Sequence, residues 1–503
     1  MRSPRRSRRH RRPAAGLLLL PLLAGCFSDR AGSADGSSGS GDGARLRVAL
    51  AFPPAERFSP YGADATLLSR LGVTEGLTAL DANGRAAPAL AGSWHRENSR
   101  TWEFTLREAT FQDGTDVTGT AVAGALTHAA EAEPLPTALA GVTLTAKAAG
   151  ARKVRLTTTA PDPALPLRLA GPSLAVLSPK AYRTDVPDPA GTATGPFTLT
   201  HVTGTTAATL DRFDDHWGGP ARAAGVDARF IADGTARARA LRTGDVDIAE
   251  AIPVSQAASL DGGTLRETAT TRTTSLLLNT RSGTFAEAGR RAAARAAVDT
   301  SALADGVHEG YADPGAGLYG PAVTWAAGLR TAPAGRAPAT DPDGATVTLA
   351  TYDNRPELPE AAQVVKEQLE KAGFAVELVV REYARLEGDA LDGKFDAVLA
   401  ARNTLLDTGD PVSVLESDYT CDGGYNLARL CDEKVDRAVA AAAGTDDTDD
   451  RQRAAMAAES ALLGTDAVVP LVHQRVLTGI APGVRGTLLD PYERTLLGAG
   501  TSR

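Results

Sequence analysis

Cysteine and methionine are almost missing from this chain: its 503 residues contain three of the first and two of the second. Cys26, Cys421 and Cys431 are too few for a disulfide scaffold and do not stand at zinc-finger spacing. No self-similarity at a period of roughly 20–50 residues is present, which disfavours a solenoid or a propeller. Catalytic signatures are absent too. No lysine is followed by Ser or Thr, so there is no Walker A loop, and Ser-x-x-Lys, His-Glu-x-x-His and Gly-x-Ser-x-Gly do not occur. The seven histidines, His95, His128, His201, His216, His308 and His473 among them, are scattered singly and read as surface or packed residues rather than metal ligands. Thr445-Asp-Asp-Thr-Asp-Asp450 lacks the glycine and terminal glutamate of an EF-hand and reads as a solvated loop. These absences move weight from catalysis towards binding, with no cofactor implied.

Basic charge is short as well. Lys+Arg 53 against Asp+Glu 61 gives −8, and seven of the arginines (Arg2, Arg5, Arg6, Arg8, Arg9, Arg11, Arg12) crowd the extreme N-terminus. Without them the remainder carries −15. A body this acidic argues against nucleic acid as a partner. What is present, 43% apolar and 23% charged residues, fits a folded soluble body of two to four domains.

The arginine run leads into Leu17-Leu18-Leu19-Leu20-Pro21-Leu22-Leu23-Ala24, a charged region followed by a short apolar one, as in a secretory signal. It falls short of the roughly 20 residues of a permanent membrane helix. The run ends in Leu23-Ala24-Gly25-Cys26, which resembles the lipobox of bacterial lipoproteins and implies lipidation of Cys26. Residues 1–25 are therefore expected to be a removable signal peptide, by the Sec or the Tat route. Residues 26–44, rich in Gly, Ser and Asp, are expected to be a flexible tether to the outer face of the membrane.

Beyond the tether, Arg45–Phe52, Thr101–Arg107 and Ala151–Thr157 alternate or carry β-formers and are predicted strands, with Trp102, Phe104 and Leu106 on one face. A helix capped by Thr118 is predicted over Thr118–Ala132. Thr235–Thr243 reads as a helix leading to a strand at Asp245–Ala249. Val347–Tyr352, Leu358–Ala372, Phe374–Val380 and Phe395–Ala400 then read strand, helix, strand, strand, the pattern of parallel βαβ units in an α/β fold.

Val73-Thr-Glu-Gly-Leu77, Asp81-Ala-Asn-Gly84, Pro88–Trp94, Phe111-Gln-Asp-Gly114, Thr194-Gly-Pro-Phe197, Phe213–Gly219, Arg239–Asp247 and Arg291–Asp299 resemble, in order and spacing, the peptide/nickel family (family 5) of ABC-transporter solute-binding proteins. The resemblance implies a two-lobed periplasmic-binding-protein fold (type II, cluster C) whose first lobe carries an extra subdomain. Mapped here, lobe I comprises 45–59, 188–272 and 478–503. The subdomain is 60–187, lobe II is 273–477, and the hinge crossings lie near Thr273 and Leu477. The implied partners are a small solute, most plausibly a short peptide, and ABC permease subunits, with the receptor itself a monomer.

Two patches resemble the dipeptide branch of that family. In Asp407-Thr-Gly-Asp-Pro411 the first aspartate is implied to bind the peptide ammonium, with Gly409 and Asp410 beside it; the competing reading is that Asp407 caps the loop and Asp410 serves the turn. Cys421-Asp-Gly-Gly-Tyr-Asn426 with Cys431 resembles a disulfide-closed loop at the pocket and brings in Tyr425 and Asn426. Departures stand beside these matches. Asn403-Thr404 occupies the neighbourhood of a family tryptophan, and Pro359-Glu360 replaces the family's carboxylate-binding arginine. Arg355 and Arg402 are the candidate substitutes, against the reading that they are ordinary surface arginines. The competing functions are a lipid-anchored enzyme such as a peptidase and a ligand sensor without transport.

Overall fold

The computed structural model describes residues 43–503, so the signal peptide at 1–25, lipidation at Cys26 and nearly all of the 26–44 tether lie outside the described residues. None of the described helices is long and apolar enough to cross a membrane.

One 11-stranded sheet runs through both lobes. At one end, Arg45–Leu50 lies parallel to Gly225–Phe230 and Ile248–Ala249, continued by the antiparallel strands Ala207–Arg212 and Phe197–Thr203. The alternation read in the first strand is realised: Leu46, Val48 and Leu50 are fully buried, while Arg45 and Arg47 pair with Asp227 (2.9 Å) and Asp247 (2.6 Å). At the other end, Thr346–Tyr352 lies parallel to Ala375–Arg381 and Ala397–Asn403, and the helix Glu357–Lys371 covers it with Leu358, Ala361, Ala362, Val365 and Leu369 buried. That spacing is the period of one helical face.

The expectation of parallel βαβ units holds within each lobe but not across the whole sheet. The two parallel groups are joined by long antiparallel strands, Leu265–Leu278 and Val468–Ile480. The chain runs out along one of these strands and returns along the other in the opposite direction. Leu276 and Leu278 enter one core with Val347, Leu349 and Val365; Leu277 enters the other with Val398, Leu415 and Leu462. A continuous apolar run is what a strand buried on both faces requires. Pairing between the two strands shifts register between Ala269 and Thr273.

The 60–187 segment carries a four-stranded antiparallel sheet, Ala91–Asn98, Thr101–Leu106, Lys153–Thr158 and Leu144–Gly150. Thr118 caps the helix Gly119–Ala130 by accepting from the Ala121 amide. This unit's own core runs from Leu77 to Val176, while Leu68, Leu71, Val73, Leu177 and Ala181 join the core of the first lobe.

At the crossing His473 is 2% exposed. Its Nδ1 lies 2.9 Å from Thr273 Oγ1, and its Nε2 accepts from the Ala316 amide at 3.2 Å. Thr273 Oγ1 already donates to Leu318 O, so Nδ1 carries the proton and the ring is neutral. Burial, reinforced by the Arg330 charge, pushes its pKa down to about 4, and burial shifts His308 in the same direction. The unfolded chain, with His near 6.5, therefore binds more protons across the window between those values, and stability must fall as pH drops through it. Thermal unfolding across pH 7 to 4 is expected to show this acid loss, on the order of 3 kcal/mol from His473. His473→Gln is expected to flatten the slope; an unchanged slope contradicts the assignment.

Candidate functional site

The Asp407 segment is the turn between the strand Ala397–Asn403 and the helix Pro411–Tyr419, which begins with proline at its first position. Its backbone lies hard against the subdomain. A Cβ on Gly171 would sit 2.4 Å from Asp407 O, and Gly409, at φ +68°, meets the Leu80 side chain. Arg494 clamps the same seam, donating to Leu405 O (2.8 Å), Leu406 O (2.7 Å) and Ala170 O (3.0 Å). Burial lowers its pKa to about 10 against the opposing pull of the Asp490 and Asp407 carboxylates.

Beside the seam a cavity of about 1010 Å³ opens between the subdomain and the second lobe. Ala140–Thr143, Thr158–Pro163 and Arg168 form one wall; Arg402–Thr404, Asp407, Ser413–Val414, Glu416, Tyr383 and Tyr425 contribute to the other. Asp407 and Arg402, proposed for opposite ends of a peptide, line this space together and face each other at 3.6 Å. Arg402 is more firmly held by Asp418, at 2.9 and 3.4 Å, and its guanidinium lies 5.1 Å from the Tyr425 ring centroid. Burial alone would lower the Arg402 pKa, but the Asp418 and Asp407 carboxylates hold it above its ordinary value. Burial raises the Asp418 pKa against the pull of Arg402, and burial likewise raises Glu416.

Two carboxylates thus share one guanidinium. With all three groups ionised the cluster carries a net −1 in a partly dry pocket, and a cationic guest neutralises it. Tyr425 and Tyr383 join hydroxyls at 2.5 Å, and Tyr383 donates to Glu387 at 2.6 Å, making a polar rim on this wall. Across the cavity, Arg168 is already paired with Asp162 at 2.9 Å.

The other predicted site residues fall elsewhere. Asp410 is fully buried and grips Arg451 through two bonds of 2.8 and 2.7 Å, with Ser413 donating at 3.0 Å; its carboxylate is spent inside the lobe and does not line the cavity. Gly409 provides the left-handed turn and packs on Leu80. Asn426 braces its own loop, donating to Thr420 O and Leu430 O at 2.8 and 2.7 Å, and Cys421 and Cys431 are bonded. Arg355 lies outside the cavity lining, 3.8 Å from Glu357 and 5.8 Å from the Phe52 ring of the first lobe. Asp418, Glu416, Tyr383 and the Thr158–Pro163 wall escaped sequence reading, because only the fold brings them to the Asp407 loop. Among the described residues no group of three or more His, Cys, Asp or Glu is placed to hold a metal ion.

A family model for bacterial extracellular solute-binding proteins, family 5, matches residues 85–426. The chain belongs to that family. It serves, with that family, as the solute-binding component of an ABC importer. The nickel-binding protein NikA of Staphylococcus aureus is 24% identical over 430 residues, covering 82% of this chain and 83% of the relative. Its crystal structure with Ni(L-His)2 superposes with a TM-score of 0.76 at 21% identity, covering 92% of this chain and all of that one. The glutathione-binding protein GsiB of Salmonella paratyphi A is 25% identical over 466 residues, 86% of this chain and 90% of its own. The Helicobacter pylori binding protein DppA, solved with the peptide STSA, superposes with a TM-score of 0.73 at 18% identity, over 90% and 96% of the two chains. These structural likenesses establish the two-lobed fold for this family 5 chain.

The two aspartates of the Asp407-Thr-Gly-Asp410 turn make opposite predictions. Asp410→Ala strands the buried Arg451 and is expected to cost about 3–5 kcal/mol in denaturant unfolding. Asp407→Ala, at a partly exposed pair, is expected to cost under about 1 kcal/mol. Equal losses contradict the division into one structural and one solute-facing aspartate.

Proposed function

We propose that this family 5 chain is a lipid-anchored extracytoplasmic receptor that captures a short peptide and passes it to its permease. The observation that carries the reading is the Asp407–Arg402 pair on the cavity wall with buried Asp418 behind it. Its surplus negative charge is complementary to a peptide ammonium, and Asp407 is the member with the weakest internal claim on it. An ammonium arriving at Asp407 exchanges the 3.6 Å contact with Arg402 for a charge-assisted hydrogen bond of its own. Tyr425 and Tyr383 offer hydroxyls to the peptide backbone, and about 1010 Å³ is ample for two to four residues. The seam at Gly171, Leu80 and Arg494 joins the walls in the closed form, and hinge movement at the two crossings opens them. Anchoring is assigned to Cys26, whose Leu23-Ala24-Gly25-Cys26 setting supports it.

A bare metal ion as solute would need protein ligands such as imidazole or clustered carboxylates, and the described residues bring no such set together. A metal held inside an organic chelate needs only a cavity and counter-charges, so Ni(L-His)2 belongs in the same assay as a comparison ligand.

Calorimetric titration with dipeptides and tripeptides is expected to give binding that weakens at least 10-fold in Asp407→Asn and persists when the peptide's other end is varied. N-acetylation of the peptide should cause a comparable loss. Equal affinity of wild type and Asp407→Asn rules out the anchor, and failure of every peptide rules out the peptide reading.

A further inference from the structure

Glu493 lies in the C-terminal segment at the lobe crossing, with a left-handed φ of +59° that side chains rarely adopt. That unfavourable backbone delivers its carboxylate into a nearly closed cluster, where it is 8% exposed. Oε1 accepts from Arg272 Nε and from Asn403 Nδ2, both at 3.0 Å; Oε2 accepts from an Arg272 terminal nitrogen at 3.1 Å and from Arg70 at 3.4 Å. Arg70 also pairs with Glu250. Asn403 is the link to the solute site, since it lines the cavity and gives its amide to Glu493. Arg272 is therefore one side chain behind the cavity wall, with its charge already met.

The same holds for the arginines that line the cavity. Arg402 is held by Asp418, Arg168 by Asp162 and Arg451 by Asp410. The acids are treated differently: Asp407 has only the distant side of an arginine already engaged, and no salt bridge joins Glu416.

Resting on the peptide reading, we propose that Glu493 is a specificity-determining residue. By neutralising the Arg70–Arg272 pair behind Asn403, it keeps that pair from serving the cavity as a carboxylate site, so the receptor selects a solute by its ammonium group and takes amine solutes whose far end carries no carboxylate. C-terminally blocked peptides and other amines are the chemical class. A carboxylate brought to this wall would lose its hydration and find the three lining guanidiniums already paired.

The test compares Ala-Ala-Ala as free acid and as its C-terminal amide by calorimetry on the full chain. Wild type is expected to bind the amide at least as tightly as the acid. Glu493→Gln keeps the shape but frees one guanidinium charge, and is expected to shift the acid-to-amide preference about 10-fold or more towards the acid. The inference is overturned if wild type prefers the acid by 10-fold, or if the ratio is the same in Glu493→Gln. If folded wild type binds neither form, the peptide reading fails and this inference goes with it; binding with an unmoved ratio fails this inference alone. Should the glutamine variant not fold, Glu493→Gly, suited to the left-handed backbone, is titrated with acetate. Acetate is expected to raise its thermal midpoint and leave wild type unmoved, and no response from the variant overturns the assignment.

Discussion

Two long antiparallel strands, Leu265–Leu278 and Val468–Ile480, join the two parallel groups of the sheet, and the site depends on how these strands are held. The register of backbone pairing shifts there, between Ala269 and Thr273. Buried side chains take over. Thr270 donates to Gln474 O, Thr271 to Asn403 Oδ1 and Thr273 to Leu318 O, at 2.8, 2.6 and 2.8 Å. Glu493 ties Arg272 and Asn403 to Arg70 in the first lobe, and the two guanidiniums outweigh the cost of burial and hold its pKa down to about 2. Hydrogen bonds of this kind are directional and satisfied in a particular arrangement, so they define this geometry more sharply than apolar packing alone.

That arrangement sets the geometry of the cavity. Asn403 belongs both to the crossing and to the cavity wall, and the Asp407 turn follows it directly. The turn is then pressed on the subdomain through Gly171 and held by Arg494. The Asp407 side of the cavity therefore lies where the subdomain and the second lobe meet.

Much of the fold was legible because it rests on local periodicity. The strand at Arg45, the Thr118 cap and the helix at Leu358 are each specified by residues within a few positions of one another. The single strand expected at Asp245–Ala249 shrinks to Ile248–Ala249, although Asp247 still donates its backbone amide to Arg47 O and accepts from the Arg47 guanidinium. The mixed character of the sheet was not legible, since the antiparallel join depends on residues about 200 positions apart. The site divides the same way. Asp407 and Tyr425 stood out by resemblance and Arg402 as a candidate substitute for a missing family arginine, and the three line one wall, whereas Asp410 and Asn426 stood beside them in sequence and serve the scaffold. Neighbouring positions in a turn point in different directions, and only the partner, here Arg451 for Asp410, decides which carboxylate is free. Asp418, Asp162 and Glu493 carry no motif; their importance comes from the arginines that folding places against them.

The most direct measurement is a crystal structure of the chain with a bound short peptide. The account predicts the peptide's amino nitrogen within hydrogen-bonding distance of the Asp407 carboxylate, in the cavity between the subdomain and the second lobe, with Asp410 still on Arg451. A peptide lodged elsewhere, or one that turns its carboxylate rather than its ammonium to this wall, contradicts it.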